Sequence, residues 1–182
     1  LCWANQTWSG IWHGKPNRVL IEQTYPGMED HRRHFETLLP AFCDSRYLKV
    51  DGKPLFMVNC SRDLPDSLRV LDFWRELAMK AGLPGLFFVG EHWQPDWDPK
   101  PYGYDAAVTI GLWTWRYKWA SWDQPVKKVR EKVNQLSGRP RVYLYDKIID
   151  HLVTEPIPGI ENYPCVIPNW DRELAKWAGN LA

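Results

Sequence analysis

Short, continuous runs of apolar residues, each followed directly by polar residues, most constrain the fold of this 182-residue chain. Six such runs occur, at residues 1–4, 55–58, 86–89, 106–110, 142–145 and 165–167. Continuous rather than alternating apolar runs are typical of strands that are buried on both faces, as in parallel sheets. Amphipathic segments between them predict helices over residues 29–39, ended by Pro40, over residues 66–81 and over residues 126–136. This alternation predicts an α/β fold with mostly parallel strands and helical crossovers.

The length of the chain favours part of a barrel over a complete one. A closed eight-stranded (β/α) barrel takes about 250 residues and rarely fewer than about 200. The sequence opens inside an apolar run, which predicts that the N-terminal strands of the barrel are missing from this segment. A complete doubly wound α/β domain is the alternative fold. It is disfavoured because the glycine-rich phosphate-binding fingerprints of such domains do not occur in the sequence. We therefore expect residues 1–182 to form a single domain, a partial (β/α) barrel.

Composition excludes several classes of protein. The net charge of +1, from 23 basic and 22 acidic residues, offers no footprint for nucleic acid. No run approaches the roughly 18 apolar residues of a membrane span. The four cysteines lack paired spacing, which predicts neither a disulfide framework nor a zinc site, and we expect no metal and no cofactor. Four free thiols are typical of a reducing compartment, so we expect a cytoplasmic location in a bacterium, with the oligomeric state left open.

Twelve tryptophans are the unusual feature of the composition. Most lie beside polar residues in segments that are predicted to be loops. Indoles in polar loops predict a surface on which flat or amphipathic ligands such as sugar rings stack. The alternative is that the loops pack onto the body of the domain, because Trp is highly buried on average.

Candidate site residues follow the apolar runs, because active sites of parallel α/β folds gather at the carboxyl ends of the strands. They are carboxylates, amides and aromatic side chains, a combination typical of a sugar site. The predicted binding residues are Trp3, Asn5, Gln6, Trp8, Trp12, Asn59, His92, Asp146, Asn169 and Trp170.

Three carboxylates are the candidates for catalysis. Glu91 follows the most apolar run and precedes aromatic residues, an environment that raises a carboxyl pKa as a general acid requires. Asp171 or Glu22 is the expected opposed carboxylate. The alternatives stay open: Glu91 can pair with a cation at the rim, Asp171 can cap a helix, and Glu22 can face solvent.

Several segments occur in a familiar order. They read CWANQTW at residues 2–8, LIEQTY at 20–25, RYLKVDGKPLF at 46–56 and PNWD at 168–171. In this order they resemble the WbsX-type glycosyltransferase family, also described as glycoside hydrolase family 99-like. The resemblance runs from residue 2 to residue 171. It implies a (β/α) barrel that acts on glycans, typically in the synthesis of bacterial O-antigen or capsule, with carboxylate catalysis and no metal.

Two departures from the family pattern bear on function. Gln6 stands where the family commonly has Glu, and Asn59-Cys60-Ser61 stands where it commonly has Tyr-Arg-Pro. An amide can orient a hydroxyl but cannot carry a catalytic proton. We therefore expect an enzyme that transfers or hydrolyses a glycosidic bond, on a glycan or sugar-nucleotide substrate. The alternative is a lectin-like relative that binds carbohydrate without chemistry.

Overall fold

The structure is a computed structural model that describes residues 1–92, 94, 96–110 and 157–165, together with Val129, Val133 and Ile149. Two helices and eight strands lie in these ranges. In chain order they are β1 (Cys2–Trp3), β2 (Trp8–Gly10), β3 (Lys15–Ile21), α1 (Met28–Cys43), β4 (Lys49–Val50), β5 (Lys53–Val58), α2 (Ser67–Lys80), β6 (Phe87–His92), β7 (Ala106–Thr109) and β8 (Asn162–Pro164). Short 3-10 helices cover Ile11–His13, Ser61–Asp63 and Lys100–Tyr102.

A mostly parallel sheet forms the body of the domain, as the sequence predicts. Its strands lie in the order β1-β5-β6-β7-β8, and each neighbouring pair is parallel. The short strand β4 pairs with β5 in an antiparallel hairpin. Helix α1 lies between β1 and β5 and α2 between β5 and β6, so the described parallel strands of this sheet neighbour one another in chain order.

The two faces of the sheet have different neighbours. On one face Phe56 and Phe88 are buried against the helices, with Phe42 of α1 and Trp74 of α2. On the other face Phe87, Val89 and Ala106 form a second buried cluster with partly buried residues of β5 and β7. Successive side chains of a strand point to opposite faces, so residues 87, 89 and 91 of β6 share the face away from the helices.

Helix α1 does not end at Pro40, as the sequence predicts, but continues to Cys43. Proline within a helix removes one backbone hydrogen bond. The additional turn places Phe42 in the core, where it is fully buried with ring centroids 5.8 Å from Phe56 and 5.5 Å from Tyr47. Aromatic burial of this extent outweighs the loss of one hydrogen bond.

The predicted helix over residues 66–81 forms as α2, with small differences. Asp66 occupies the N-cap position in a left-handed conformation and makes no side-chain capping bond. Val70 is buried, whereas Leu68 of the predicted apolar stripe is 49% exposed. Its neighbour Ser67 is buried, and its hydroxyl donates to the Tyr102 carbonyl at 2.9 Å. The stripe of α2 is therefore shifted around the helix relative to the prediction.

Two strand predictions differ from the structure, and one hairpin was not predicted. Strand β6 runs on to His92, so Glu91 lies within the strand and not past it. The pairing with β7 is made by residues 162–164, just before the predicted run at 165–167. The antiparallel hairpin of β2 and β3 has no clear signal in the sequence, because two register irregularities interrupt its alternation.

The run at residues 142–145 lies outside the described residues, as does most of the predicted helix over 126–136. No helix in the described part is both long and apolar enough to cross a bilayer.

Candidate functional site

Glu91 lies at the carboxyl end of β6, on the face of the sheet away from the helices. Its neighbour across the ladder is Val108 of β7. The residues that precede it on the same face, Phe87 and Val89, are buried. The carboxyl group therefore stands where an apolar face meets the edge at which parallel strands present their functional groups.

The pKa of Glu91 is raised from an ordinary 4.5 to about 7, and the cause is burial of the carboxyl group. Removal of a carboxylate from water disfavours its charged form, so the group keeps its proton to higher pH. A carboxyl with a pKa near 7 is about half protonated at neutral pH. It can then donate or accept a proton during a reaction, which is the property required of a general acid or base.

The backbone of Glu91 is held by Ser61. The hydroxyl of Ser61, itself buried, donates to the Glu91 carbonyl at 2.7 Å. The hydroxyl of Tyr104 in turn donates to the Ser61 carbonyl at 3.2 Å. A Cβ on the preceding residue, Gly90, would lie 2.9 Å from the Trp97 ring and 3.0 Å from Ser61 Cβ. The strand end that carries the carboxyl is thus fixed by close packing as well as by hydrogen bonds.

Asn5 joins the ends of β1 and β5. Its side-chain oxygen accepts from the Cys60 N–H at 2.8 Å, and its amide nitrogen donates to the Cys60 carbonyl at 2.9 Å. The amide nitrogen also donates to the Tyr25 hydroxyl at 3.1 Å. Asn5 is only 2% exposed, so these contacts assign it a role in shaping the site. Its predicted contact with a substrate stays a prediction.

Two further predicted amides lie at this edge. Val58 of β5 pairs with Gly90 of β6, so Asn59 and Glu91 are each one residue further along on the same face. Asn59 is half-buried. Gln6 is exposed, and its amide contacts the Cys60 sulfur.

Three thiols lie within electrostatic reach of Glu91. For Cys2 and Cys165, burial and then the negative charge of Glu91 raise the pKa. For Cys60, burial and then Asp63 raise the pKa, with a smaller effect of Glu91. The thiols therefore stay protonated and uncharged at neutral pH. The chain order hides this cluster, because strands far apart in sequence bring the cysteines together.

The described members of the predicted aromatic set have different surroundings. Trp3 turns to the helix face, where it stacks on Trp74 at 6.4 Å and contacts His34 edge-on at 4.8 Å. His92 is buried and stacks on Trp97 at 4.7 Å, and burial lowers its pKa. Trp3 and His92 therefore pack within the domain, and their predicted contact with a substrate stays a prediction. Trp8, by contrast, is 60% exposed on β2.

The remaining predicted residues are either exposed or lie, wholly or by their side chains, outside the described part of the structure. Glu22 is exposed directly after β3. Trp12 lies in the first 3-10 helix, and its side chain is outside the described part. Four predicted residues lie wholly outside it: Asp146, Asn169, Trp170 and Asp171. Among the described residues, no group of three or more His, Cys, Asp or Glu side chains is arranged to hold a metal ion.

Sequence reasoning missed Ser61 and Tyr104, which hold the strand end at Glu91. A serine just past an apolar run carries no signal of this kind, since its partner lies 30 residues further along. The two residues before it, Asn59 and Cys60, also follow the strand, and only the folded chain distinguishes their roles.

Comparison with known families decides the affiliation. The family described as Glycosyltransferase WbsX matches residues 1–179 of the 182. The chain belongs to the WbsX glycosyltransferase family. The resemblance inferred from the segments at residues 2–8, 20–25, 46–56 and 168–171 is therefore confirmed, and the WbsX match covers Glu91 and its supporting residues.

Curated relatives of this WbsX chain are longer. It is 26% identical over 177 residues to WxcX of Xanthomonas campestris pv. campestris, in strain B100 and in a second strain. The match covers 95% of this chain and 24% of each relative, so the chain spans about a quarter of their length. No solved structure matches the chain significantly.

Proposed function

We propose that this chain is the glycan-processing part of a carbohydrate-active enzyme that transfers or hydrolyses a glycosidic bond. The observation that carries the proposal is the position of Glu91, half-buried at the carboxyl edge of a parallel sheet with a pKa of about 7. Membership of a glycosyltransferase family supports it. The process is the synthesis of bacterial surface polysaccharide, O-antigen or capsule, and the substrate is a glycan or a sugar nucleotide.

Glu91 acts as the general acid. Its protonated carboxyl donates to the oxygen that leaves the anomeric carbon, so that no alkoxide has to depart. The resulting carboxylate recovers a proton from the attacking water or hydroxyl. The hydrogen bond from Ser61 holds the strand end, and therefore the carboxyl, in place for both transfers.

The opposed carboxylate is Asp171 or Glu22. Two carboxyls about 5–10 Å apart are the usual requirement for cleavage of a glycosidic bond. In the same site Gln6 and Asn59 bind sugar hydroxyls through their amides, and the exposed indole of Trp8 stacks on a ring. Asp146, Asn169 and Trp170 complete the proposed binding residues.

The proposed architecture is part of a (β/α) barrel, with residues 1–182 as one domain. The consecutive order of the parallel strands supports it, because barrel strands neighbour one another in chain order. In a barrel the face of Glu91 would be the interior one. The proposed location is the bacterial cytoplasm.

A glycan array followed by product analysis tests the function. The full-length protein is applied to the array, each bound glycan is incubated with a panel of nucleotide sugars or with water, and products are identified by mass spectrometry. Turnover by the native protein that falls about 10²–10⁴-fold in Glu91→Gln, with binding nearly unchanged, is the expected result. The matched control is Glu36→Gln, at an exposed position on α1. Native turnover in Glu91→Gln would remove this residue from the mechanism.

The pH dependence separates an acid from a merely polar group. The native kcat/KM should fall as the pH rises through about 7, since Glu91 then loses its proton. This decrease of kcat/KM with rising pH should be absent in Glu91→Gln. A decrease that persists in the variant would be caused by the titration of another group.

A lectin-like function is the second candidate, and Gln6 is the observation that favours it. An amide stands here where the family commonly has a carboxylate. Array binding without turnover in both the native protein and Gln6→Glu would support a binding protein. Turnover that appears only in Gln6→Glu would show instead that the family carboxylate has been lost.

A further inference from the structure

The segment of β2, the 3-10 helix and β3, residues 8–21, presents apolar side chains to solvent. We call it the exposed hairpin. Five large apolar residues in it are 40–67% exposed: Trp8, Ile11, Val19, Leu20 and Ile21. Single exposed apolar residues are normal on a protein surface, whereas a contiguous group marks an interaction site. The exposed hairpin is therefore a candidate interaction surface.

The exposed hairpin stands apart from the main sheet. Strands β2 and β3 pair only with each other among the described strands, and Trp8 faces Ile21 across the ladder. Val19, two residues before Ile21 on β3, faces Ser9 across the ladder. The base is tied by the Gln23 N–H, which donates to the Thr7 hydroxyl at 3.2 Å. A two-stranded hairpin is marginally stable alone in water, so burial of this face would stabilise it.

The charge of the exposed hairpin has one sign. Lys15 and Arg18 are exposed, and neither forms an ion pair with a described residue. The sequence contains no Asp or Glu from residue 1 to residue 21. A partner that complements this segment must therefore be anionic as well as able to receive apolar side chains.

We propose that the exposed hairpin docks the protein onto an anionic lipid surface. The aliphatic side chains of the exposed hairpin enter the boundary between headgroups and acyl chains, while Lys15 and Arg18 meet the lipid phosphates. This chemistry satisfies both features of the segment at once. A second copy of the chain fits less well, because a twofold contact through this face would bring its cations against each other.

The location of the exposed hairpin connects it with the candidate site. It follows β1 directly, at the carboxyl edge of the sheet where Glu91 lies. Docking would hold that edge close to the membrane surface. The inference about lipid does not depend on the activity of Glu91, and the two can fail separately.

Vesicle sedimentation tests the proposal with the full-length protein. Binding is compared on phosphatidylcholine vesicles with and without phosphatidylglycerol, at low and high salt. We expect binding only with the anionic lipid, and weaker binding at high salt. Loss of each cation should lower the partition coefficient about fivefold, so Lys15→Ser with Arg18→Ser should lower it about 25-fold. Val19→Ser with Ile21→Ser should lower it at least about tenfold.

The matched control is Met79→Ser on α2, which removes an apolar side chain that is 56% exposed elsewhere on the surface. It should bind as the native protein does, and circular dichroism should show that all variants are folded. Absence of binding to anionic vesicles, or equal binding by the hairpin variants, would overturn the proposal. So would a native oligomer that the hairpin variants convert to monomers, since the face would then be an interface between copies.

Discussion

Replacement of Glu91 by Gln should stabilise the folded protein at neutral and higher pH. The carboxyl pKa is about 7 in the folded state against an ordinary 4.5, and burial is the cause. Between these pH values the folded state holds a proton that the unfolded chain has lost. Stability that is present below pH 4.5 is therefore lost progressively as the pH rises towards 7.

The size of the effect follows from the same difference. Each pH unit between the two pKa values corresponds to about 1.4 kcal/mol, which gives an upper bound of about 3 kcal/mol. The group is only half-buried, and solvent screening reduces this to about 1–2 kcal/mol. Glu91→Gln carries no charge at any pH, so the variant should be more stable than the native protein by that amount at pH 8 and equally stable near pH 4.5.

Urea unfolding at a series of pH values measures the effect. The free energy of unfolding of the native protein, Glu91→Gln and the control Glu36→Gln is determined by circular dichroism between pH 4.5 and 8. The curves of the native protein and Glu91→Gln should coincide near pH 4.5, diverge between pH 4.5 and 7, and keep a constant separation above pH 7. Parallel curves for these two proteins would refute the argument, because they would show that folding does not desolvate this carboxyl.

Two further substitutions test the packing around the site. Gly90→Ala places a Cβ 2.9 Å from the Trp97 ring and should destabilise the fold by about 1–3 kcal/mol in urea unfolding; an unchanged midpoint would mean that the ring shifts freely. Asp105→Ala removes an oxygen that accepts from the Phe88 N–H at 2.7 Å and from Arg75 at 2.8 Å. Since it leaves a backbone donor and a guanidinium without this partner, it should cost about 2–3 kcal/mol in thermal unfolding, and a loss below about 0.5 kcal/mol would contradict this.

Much of the fold could be predicted from local patterns. The runs at residues 55–58, 86–89 and 106–110 become β5, β6 and β7, because continuous apolar side chains fit a strand covered on both faces. The turn at Asp51-Gly52 also follows from the sequence. Both residues have positive φ, 48° and 77°, which is the geometry of a tight hairpin turn.

Contacts between distant segments account for what the patterns missed. Helix α1 passes Pro40 because Phe42 finds a place in a core built from other elements. Trp3 and Trp8 are five residues apart and both are predicted binding residues, yet one packs on Trp74 and the other faces solvent. Composition and spacing do not predict such differences, because the burial of a side chain depends on which segments of the chain pack against each other.

The sequence by itself determined the family, the parallel α/β character and the choice of Glu91 as the candidate catalytic carboxyl. Each of these depends on residue types in local order, which the printed sequence contains. Only the tertiary structure decided the environment of Glu91. Its carboxyl is desolvated, its backbone is held by Ser61, and the thiols of residues 2, 60 and 165 lie within its electrostatic reach. Desolvation depends on strands that are far apart in the chain, so it arises only when the sheet has formed.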